Sequence, residues 1–132
     1  CLAGIPFVGQ TEAIARLCKI RDDQVIMMFS ASDFRIALFT RHVSLKKIPG
    51  LLKKEKLKKF LILLNQEMKN KIKIKKPKIA VLGLNPHSGE NGLFGNEEKK
   101  IIEPIIKELN KKGLKIYGPF SPDSTLAKAG QD

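Results

Sequence analysis

Three side chains that can bind a metal or move a proton come just after short apolar runs of the sequence. His42 and His87, the two histidines of the chain, each follow one run, and Asp123 follows another. Two imidazoles near a carboxylate can bind a divalent metal such as Zn²⁺ or Mn²⁺, or they can act as an acid and a base. A single histidine at a strand end is more often a hydrogen-bonded loop residue, so the prediction depends on the groups converging.

The runs before these side chains have the composition of β-strands. They are QVIMMFS (24–30), FRIALFT (34–40), KIAVLGL (78–84) and LKIYGPF (114–120). KIAVLGL is apolar almost throughout, as strands covered on both faces are. Because ligands of open α/β sheets bind at the carboxyl ends of the strands, parallel neighbours would bring His42, His87 and Asp123 to one rim.

Helical patterns alternate with these strands. A short helix is predicted to begin at Thr11-Glu12, with an apolar face formed by Ile14, Leu17 and Cys18. A long amphipathic helix with a lysine face is predicted from Leu51 to about Lys71. Its apolar positions recur at intervals of three and four: Leu57, Phe60, Leu61, Leu64 and Met68.

A third helix follows the strand KIAVLGL and a glycine-rich loop. Asn96-Glu97-Glu98 supplies its cap and an acidic first turn. Pro104 predicts a kink or a delayed start, and Lys112-Gly113 predicts its end. Pro49-Gly50 is predicted as a turn, and the tail 121–132 has loop composition.

The resulting order of elements, αββαβαβ, predicts an α/β fold with a mostly parallel sheet and flanking helices. Its glycine-rich loop GENGLFG (89–95) has the spacing G-x-x-G-x-x-G and leads into a helix whose N–H groups could hold an anion. That spacing differs from the dinucleotide fingerprint G-x-G-x-x-G. Spacing alone therefore favours a plain strand-to-helix loop.

The formal net charge of +12 permits a nucleic acid or a phosphorylated metabolite as a partner. Thirteen lysines lie between Lys46 and Lys78, and Phe60 is the one aromatic residue among them. Because base stacking needs interleaved aromatic side chains, the lysines favour a solvated helix over a nucleic-acid surface.

The sequence also bears on where the protein works. It has no run of about 18 apolar residues that could span a membrane, and no signal peptide is visible in these 132 residues. The two cysteines, Cys1 and Cys18, fit the reducing cytoplasm, although a disulfide between them stays open. The chain begins at Cys1 rather than at methionine, which we interpret as a sign of a fragment, a processed product or a trimmed chain.

Two blocks, IAVLGLNPHSGENGLFGNEEKKIIEPIIKEL and GLKIYGPFSPDST, closely resemble the NAD-dependent 4-hydroxythreonine-4-phosphate dehydrogenase family of vitamin B6 biosynthesis. The segments AGIPFVGQTE and VIMMFSASDFRIALFTRHVSL extend the resemblance upstream. It implies an isocitrate-dehydrogenase-like α/β fold, incomplete here, and a homodimer with its active sites at the subunit interface. Residues 1–132 would then be a single α/β segment from the centre of a larger dehydrogenase, inactive by itself.

The resemblance also assigns roles to residues. His42, in T-x-H-x-x-L, and His87, in N-P-H-x-G-E, match two metal ligands of the family. The third family ligand, a histidine in a Y-H-D-Q segment, has no counterpart in this sequence. Thr11 matches a substrate contact, and Gln10 replaces a substrate-binding histidine and cannot titrate. Two further residues are predicted to lie near the site: Asp123 and Asn85.

The implied reaction is oxidation with decarboxylation of 4-phosphooxy-threonine by NAD, assisted by a divalent metal (Zn, Mg or Co). The metal would hold the substrate hydroxyl while hydride leaves for NAD, and the β-keto acid so formed loses CO₂ readily. Catalytic acid and base residues and NAD contacts are not identified. Two alternatives stay open: a related dehydrogenase for another phosphorylated hydroxy acid, with Gln10 as the specificity change, and a basic nucleic-acid-binding domain.

Overall fold

The computed structural model describes residues 9–31 and 34–128, so the opening loop with Cys1 lies outside the described residues. Its helices and strands, in chain order, are α1 (Gln10–Leu17), β1 (Met27–Ala31), β2 (Phe34–Leu38), α2 (Ile48–Leu51), α3 (Lys54–Asn70), β3 (Lys78–Leu82), α4 (Glu103–Lys111), β4 (Lys115–Phe120) and α5 (Pro122–Lys128). The α/β class predicted from the sequence is confirmed.

The strands form two pairs of opposite kind. β3 and β4 are parallel, with Ile79 opposite Ile116, as expected for strands joined through a crossover helix. β1 and β2 are antiparallel, with Met27 opposite Leu38, because a two-residue connection can join only antiparallel strands. The strand that leads to His42 therefore does not pair with β3 or β4 in the described ranges.

The core lies where α3 and α4 pack against β4. Its buried side chains are Leu52, Leu57, Leu61, Ile102, Ile105, Ile106, Leu109 and Ile116. The lysines of α3 face away from this core, and Lys58 among them pairs with Glu108 at 2.8 Å. The prediction of a long amphipathic helix with a solvated lysine face is therefore confirmed.

The third predicted helix is interrupted as Pro104 requires. A π-helical turn spans Glu98–Ile102, and α4 begins at Glu103 with Pro104 in its first turn. Proline lacks the N–H that a continuous α-helix would need at this position, and its ring clashes with the preceding turn. The wider π-helical turn before Pro104 accommodates both effects. At the far end, the N–H groups of Gly113 and Leu114 bond to the carbonyls of Asn110 and Leu109, and Gly113 has φ +85°, so the predicted cap is confirmed.

Some local predictions were wrong in detail. Ile14 and Leu17, on the predicted apolar face of α1, are 60% and 84% exposed, and the buried side chain of α1 is Ala15. Pro49 and Gly50 lie inside the short helix α2.

The chain after Ser121 forms α5, where a loop was predicted. Pro122 at its first position and Asp123 in its first turn both favour a helix start. The strand β3, which the sequence predicts to be covered on both faces, is only half-buried. Residues of β2 and β3 line an apolar groove beside it.

No helix in the described part of the chain is long and apolar enough to cross a membrane.

Gly118 lies in the irregularity of the β3–β4 pairing, and its replacement by alanine is expected to destabilise the protein more than the same change at Gly113. Both glycines have positive φ, +110° and +85°. A Cβ at residue 118 would overlap the carbonyl oxygen of Val81, whereas nothing lies within 4 Å of a Cβ at residue 113.

Gly113→Ala should cost about 1–2 kcal/mol for the left-handed backbone alone, and Gly118→Ala about 1–3 kcal/mol more for the overlap. Urea unfolding of the full-length protein measures both losses. Equal losses would show that the β3–β4 contact at Gly118 is looser than described.

Candidate metal and substrate site

His42 lies just beyond β2 and is held by a carboxylate from α1. Its Nδ1 lies 2.9 Å from Oε2 of Glu12, and no other hydrogen bond of the ring is found within the described residues. The backbone of His42 has φ 51°, a left-handed conformation that is uncommon for residues other than glycine. Glu12 thus fixes the direction of the imidazole, and no hydrogen bond to its Nε2 is formed by the residues that the structure describes.

Glu12 also binds the residue before His42. The Nε of Arg41 donates to Oε1 of Glu12 at 2.6 Å, while its other nitrogens donate to the carbonyls of Val25 and Asp22 at 3.0 and 3.1 Å. Burial, the largest influence, raises the pKa of Glu12, but hydrogen bonds from its own backbone, from Arg41 and from His42 outweigh it and lower that pKa. The carboxylate is therefore fixed as an anion between two neighbours.

The predicted substrate contacts, Gln10 and Thr11, lie in the first turn of this same helix. The residue before them, Gly9, packs so closely that a Cβ there would overlap the ring of His42. Gln10 is exposed and Thr11 is half-buried. Gln10 and Thr11 thus lie in the chain between Gly9 and Glu12, the two residues of this helix start that pack against or bond to His42. Their role as substrate contacts stays a prediction.

His87 lies in a left-handed turn that follows β3. Residues 87 to 91 all have positive φ, between 39° and 80°, although only Gly89 among them lacks a side chain. Left-handed backbone costs roughly 1–2 kcal/mol per non-glycine residue. Strain of this kind persists only where the surroundings enforce it, and it clusters at functional sites.

Glu98 is one residue that enforces this turn. Its Oε1 accepts the N–H groups of Leu84 and Asn85 at 2.7 and 2.8 Å, and its Oε2 accepts Nδ2 of Asn85 at 2.9 Å. A Cβ at Gly89 would come within 2.8 Å of the same carboxylate. Glu98 is only 2% exposed, so the end of β3 and the turn are built around a buried anion.

The ionised form of Glu98 is favoured in spite of its burial. Burial, the largest influence, raises the pKa of Glu98, but hydrogen bonds from Asn85 and Leu84 and from its own backbone together bring it below the ordinary value of 4.5. The pKa of Glu97 is also lowered, chiefly by the Asn85 amide, which lies 2.8 Å from its Oε2. Asn85, predicted to lie near the site, thus connects the strand end to both carboxylates.

Two glycines of GENGLFG allow the loop to pack closely against Glu98 and Asn85. Gly89 lies against Glu98, and a Cβ at Gly95 would overlap the amide of Asn85. Both have positive φ, +80° and +150°. The spacing therefore fits a strand-to-helix loop that closes on a buried anion.

Asp123 faces His87 from the first turn of α5. Its Oδ2 lies 3.6 Å from Nδ1 of His87, and both side chains are about two-thirds exposed. The turn also borders a cleft of about 550 Å³ that Glu103, Lys107 and Pro119 help to line. His87 and Asp123, which are both predicted site residues, are therefore brought together.

The structure thus forms two groups, one around His42 and one around His87. No three His, Cys, Asp or Glu side chains of the described ranges come close enough together to hold a metal ion. No hydrogen bond or ion pair between described residues joins the two groups. The assignment of both histidines to one metal stays a prediction.

Two residues of the site were not identified from the sequence. The sequence predicts Glu12 only as part of a helix start, although its position beside Thr11 is a usable signal. Glu98 was assigned to an acidic first turn. Its spacing from Ile102, Ile105 and Leu109 is four, seven and eleven residues, which places it on the apolar face of the helix and could have indicated burial.

Comparison with known proteins covers the whole chain. The family described as "Pyridoxal phosphate biosynthetic protein PdxA" matches residues 1–132. A 4-hydroxythreonine-4-phosphate dehydrogenase from Sulfurihydrogenibium sp. is 41% identical over 124 residues, which are 94% of this chain and 38% of that protein. A protein from Clostridium botulinum named "Putative D-threonate 4-phosphate dehydrogenase" is 42% identical over 122 residues, 92% of this chain and 36% of that protein.

The fold agrees with the same relatives. The crystal structure of 4-hydroxythreonine-4-phosphate dehydrogenase from Klebsiella pneumoniae superposes with a TM-score of 0.82 and 31% identity, over 98% of this chain and 38% of that one. The predicted isocitrate-dehydrogenase-like fold, incomplete here, is confirmed by this match. The chain spans less than two-fifths of the length of these relatives, and it belongs to the PdxA family of pyridoxal phosphate biosynthetic proteins.

Proposed function

We propose that the full-length protein containing this chain is a metal-assisted, NAD-dependent dehydrogenase that oxidises and decarboxylates 4-phosphooxy-threonine. The observation that carries the proposal is the shared setting of the two histidines. Each has φ 51°, and each turns Nδ1 toward a carboxylate, Glu12 or Asp123. The family match and the 4-hydroxythreonine-4-phosphate dehydrogenase relatives support the same activity.

The residues present fit two positions of a metal site. Histidine binds a divalent metal through one ring nitrogen while the other donates a hydrogen bond, often to a carboxylate. Glu12 lies 2.9 Å from Nδ1 of His42, so Nε2 of His42 would be its ligand atom. Asp123 lies 3.6 Å from Nδ1 of His87, which is beyond hydrogen-bond distance, and a small approach of the two side chains would select Nε2 of His87 in the same way. A third ligand would come from chain outside these residues. Zn, Mg or Co bound there would supply Lewis acidity at the substrate hydroxyl, and NAD would accept the hydride.

The residues of α1 would position the substrate. The hydroxyl of Thr11 can donate and accept hydrogen bonds, and the Gln10 amide can do both without gaining or losing a proton. Both follow Gly9, which packs against His42, so substrate oxygens held there would lie beside a metal ligand. Any proton transfer in the reaction would therefore use a group other than Gln10.

The relatives leave a second substrate open. One relative is named for 4-hydroxythreonine 4-phosphate and another for D-threonate 4-phosphate. These molecules differ at the carbon that carries an amino group in one and a hydroxyl in the other. Gln10, where the family has a histidine, is the residue of this chain that we expect to influence this choice.

The substrate test compares both phosphorylated compounds with the full-length protein, with reduced nicotinamide as the readout. We expect turnover with 4-phosphooxy-threonine, and we expect Gln10→His to change the ratio of kcat/KM values for the two compounds. A change of about tenfold corresponds to roughly 1.4 kcal/mol of differential transition-state binding. Ser124→Ala, an exposed position on α5, is the control. Turnover with neither compound would contradict the proposed function, and an unchanged ratio would remove Gln10 from the specificity site.

The remaining expectations concern the whole protein. We propose that it acts as a homodimer in the cytoplasm, with residues 1–132 as a central α/β segment and with active sites completed at the subunit interface. The exposed apolar side chains of α1, Ile14 and Leu17, fit a surface that further protein would cover.

A further inference from the structure

We propose that Glu12 is a positioning residue that orients His42 as a metal ligand and joins that ligand to the helix that would bind substrate. This inference rests on the proposed function, because it takes His42 as a ligand. It goes further by assigning a role to a carboxylate that would touch neither metal nor substrate.

Both carboxylate oxygens of Glu12 are used. Oε2 lies 2.9 Å from Nδ1 of His42, and Oε1 accepts Nε of Arg41 at 2.6 Å. The side chains of Glu12 and Arg41 are only 12% and 14% exposed. A carboxylate held at both oxygens in a mostly buried place has little freedom to rotate, so it imposes its direction on the imidazole.

Arg41 extends this anchorage into the backbone. Its two terminal nitrogens donate to the carbonyls of Val25 and Asp22, which precede β1. The direction of His42 is therefore set by α1 through Glu12 and by the 22–25 segment through Arg41. Small movements of one element alone would be resisted by the other.

The chemical consequence concerns the choice between the two ring nitrogens. A hydrogen bond from Nδ1–H to a carboxylate fixes the tautomer, leaves the lone pair of Nε2 for the metal and makes the ligand more basic. Asp123 constrains the His87 ring less, since its Oδ2 lies 3.6 Å from Nδ1 of His87 and both side chains are largely exposed. Of these two carboxylates, Glu12 is therefore the one that can fix the orientation and the tautomer of its histidine.

The arrangement also connects ligand and substrate. Glu12 directly follows Gln10 and Thr11 in α1, and Gly9 leaves no room for a Cβ against the His42 ring. A shift of the helix start would therefore move the ligand and the substrate contacts together. Because Glu12 contacts the His42 ring directly and is joined to Gln10 and Thr11 only through the helix backbone, its loss should lower metal affinity more than substrate affinity.

The test measures metal affinity of the full-length protein by competition with a chromophoric chelator, with Zn²⁺ alone as the probe. Glu12→Ala should weaken binding by about 10–100-fold, the usual effect of removing such a carboxylate partner. Glu12→Gln, which keeps the shape and an acceptor oxygen, should fall between Glu12→Ala and the unchanged protein. With saturating Zn²⁺, kcat should recover further than it does in His42→Ala.

Two controls separate positioning from folding. Arg41→Met breaks the same ion pair and the bonds to Val25 and Asp22 but leaves the contact between Glu12 and His42, so it should cost at least as much stability as Glu12→Ala and yet weaken Zn²⁺ binding several-fold less. Ring ¹⁵N NMR of the metal-free protein should show Nδ1 of His42 protonated, and this preference should be lost in Glu12→Ala.

The results of these experiments separate the proposed role of Glu12 from the proposed metal site itself. If His42→Ala abolishes Zn²⁺ binding and Glu12→Ala leaves it unchanged, the role of Glu12 is wrong while the metal site stands. If His42→Ala binds Zn²⁺ as tightly as the unchanged protein, the metal site itself is wrong, and the role of Glu12 is lost with it.

Discussion

Alanine in place of His42 or His87 in the full-length protein is expected to abolish tight metal binding and to lower kcat/KM by at least about 10²-fold. A bound divalent metal contributes several kcal/mol of transition-state stabilisation, and about 2.7 kcal/mol corresponds to 10²-fold in rate. Both variants should lose activity in the same way as the unchanged protein does with a chelator. Steady-state kinetics with and without added metal measure this.

Glu90→Gln is the matched control for His87→Ala. It lies in the same left-handed turn and is exposed, so it reports on the turn without removing an imidazole. Its activity should stay within about twofold of the unchanged protein. Turnover that survives both histidine substitutions and the chelator would contradict the metal-assisted mechanism.

The second large effect is expected at Glu98. Glu98→Ala removes the acceptor of the backbone N–H groups of Leu84 and Asn85 and leaves these two part-buried donors without that partner. The side-chain amide of Asn85 loses one of its two acceptors and keeps Glu97. Each unsatisfied buried donor costs about 1–3 kcal/mol, and part of this cost is relieved by water entering the space. We expect a loss of roughly 3–5 kcal/mol in the free energy of unfolding, together with a loss of metal affinity as the His87 turn relaxes.

The pH dependence of this contribution has a definite sign. The pKa of Glu98 is lowered in the folded protein, so its stabilising effect is fully present above the ordinary value of about 4.5. The effect is lost as pH falls through the lowered folded pKa. Glu98→Gln should therefore unfold with less dependence on pH below about 4.5 than the unchanged protein.

Glu97→Ala is the neighbouring control, since Glu97 accepts the side-chain amide of Asn85 but does not bind the N–H groups of Leu84 and Asn85, which bond to Glu98, and it is less buried than Glu98. Chemical denaturation at neutral and acid pH compares the three variants. A Glu98→Ala protein as stable as Glu97→Ala would show that the buried anion does not hold the turn.

The sequence was sufficient for the elements with strong periodicity. The apolar spacing of α3, the proline in the third helix and Gly113 at its end each express a local physical requirement, and each prediction is confirmed. The parallel pair β3–β4 also followed from a strand–helix–strand order. These features depend on residues that are near one another in the chain.

The features that the sequence did not reveal depend on distant partners. Glu12 reaches Arg41 and His42 across about thirty positions, and Glu98 reaches Leu84 and Asn85 across the glycine-rich loop. The left-handed turn at His87 arises from such contacts, since its residues other than glycine disfavour that conformation locally. The apolar side chains Ile14 and Leu17 of α1 are exposed, because apolar spacing along a helix predicts a face that is to be covered but not the part of the protein that covers it.

The metal position in the full-length protein tests the central claim most directly. Crystals grown with Zn²⁺ and measured at the zinc absorption edge would locate the ion by anomalous scattering. We predict one peak about 2.0–2.1 Å from Nε2 of both His42 and His87, with Nδ1 of His42 still bonded to Glu12. A fully occupied zinc peak elsewhere, or one bound by only one of these histidines, would contradict the proposed site.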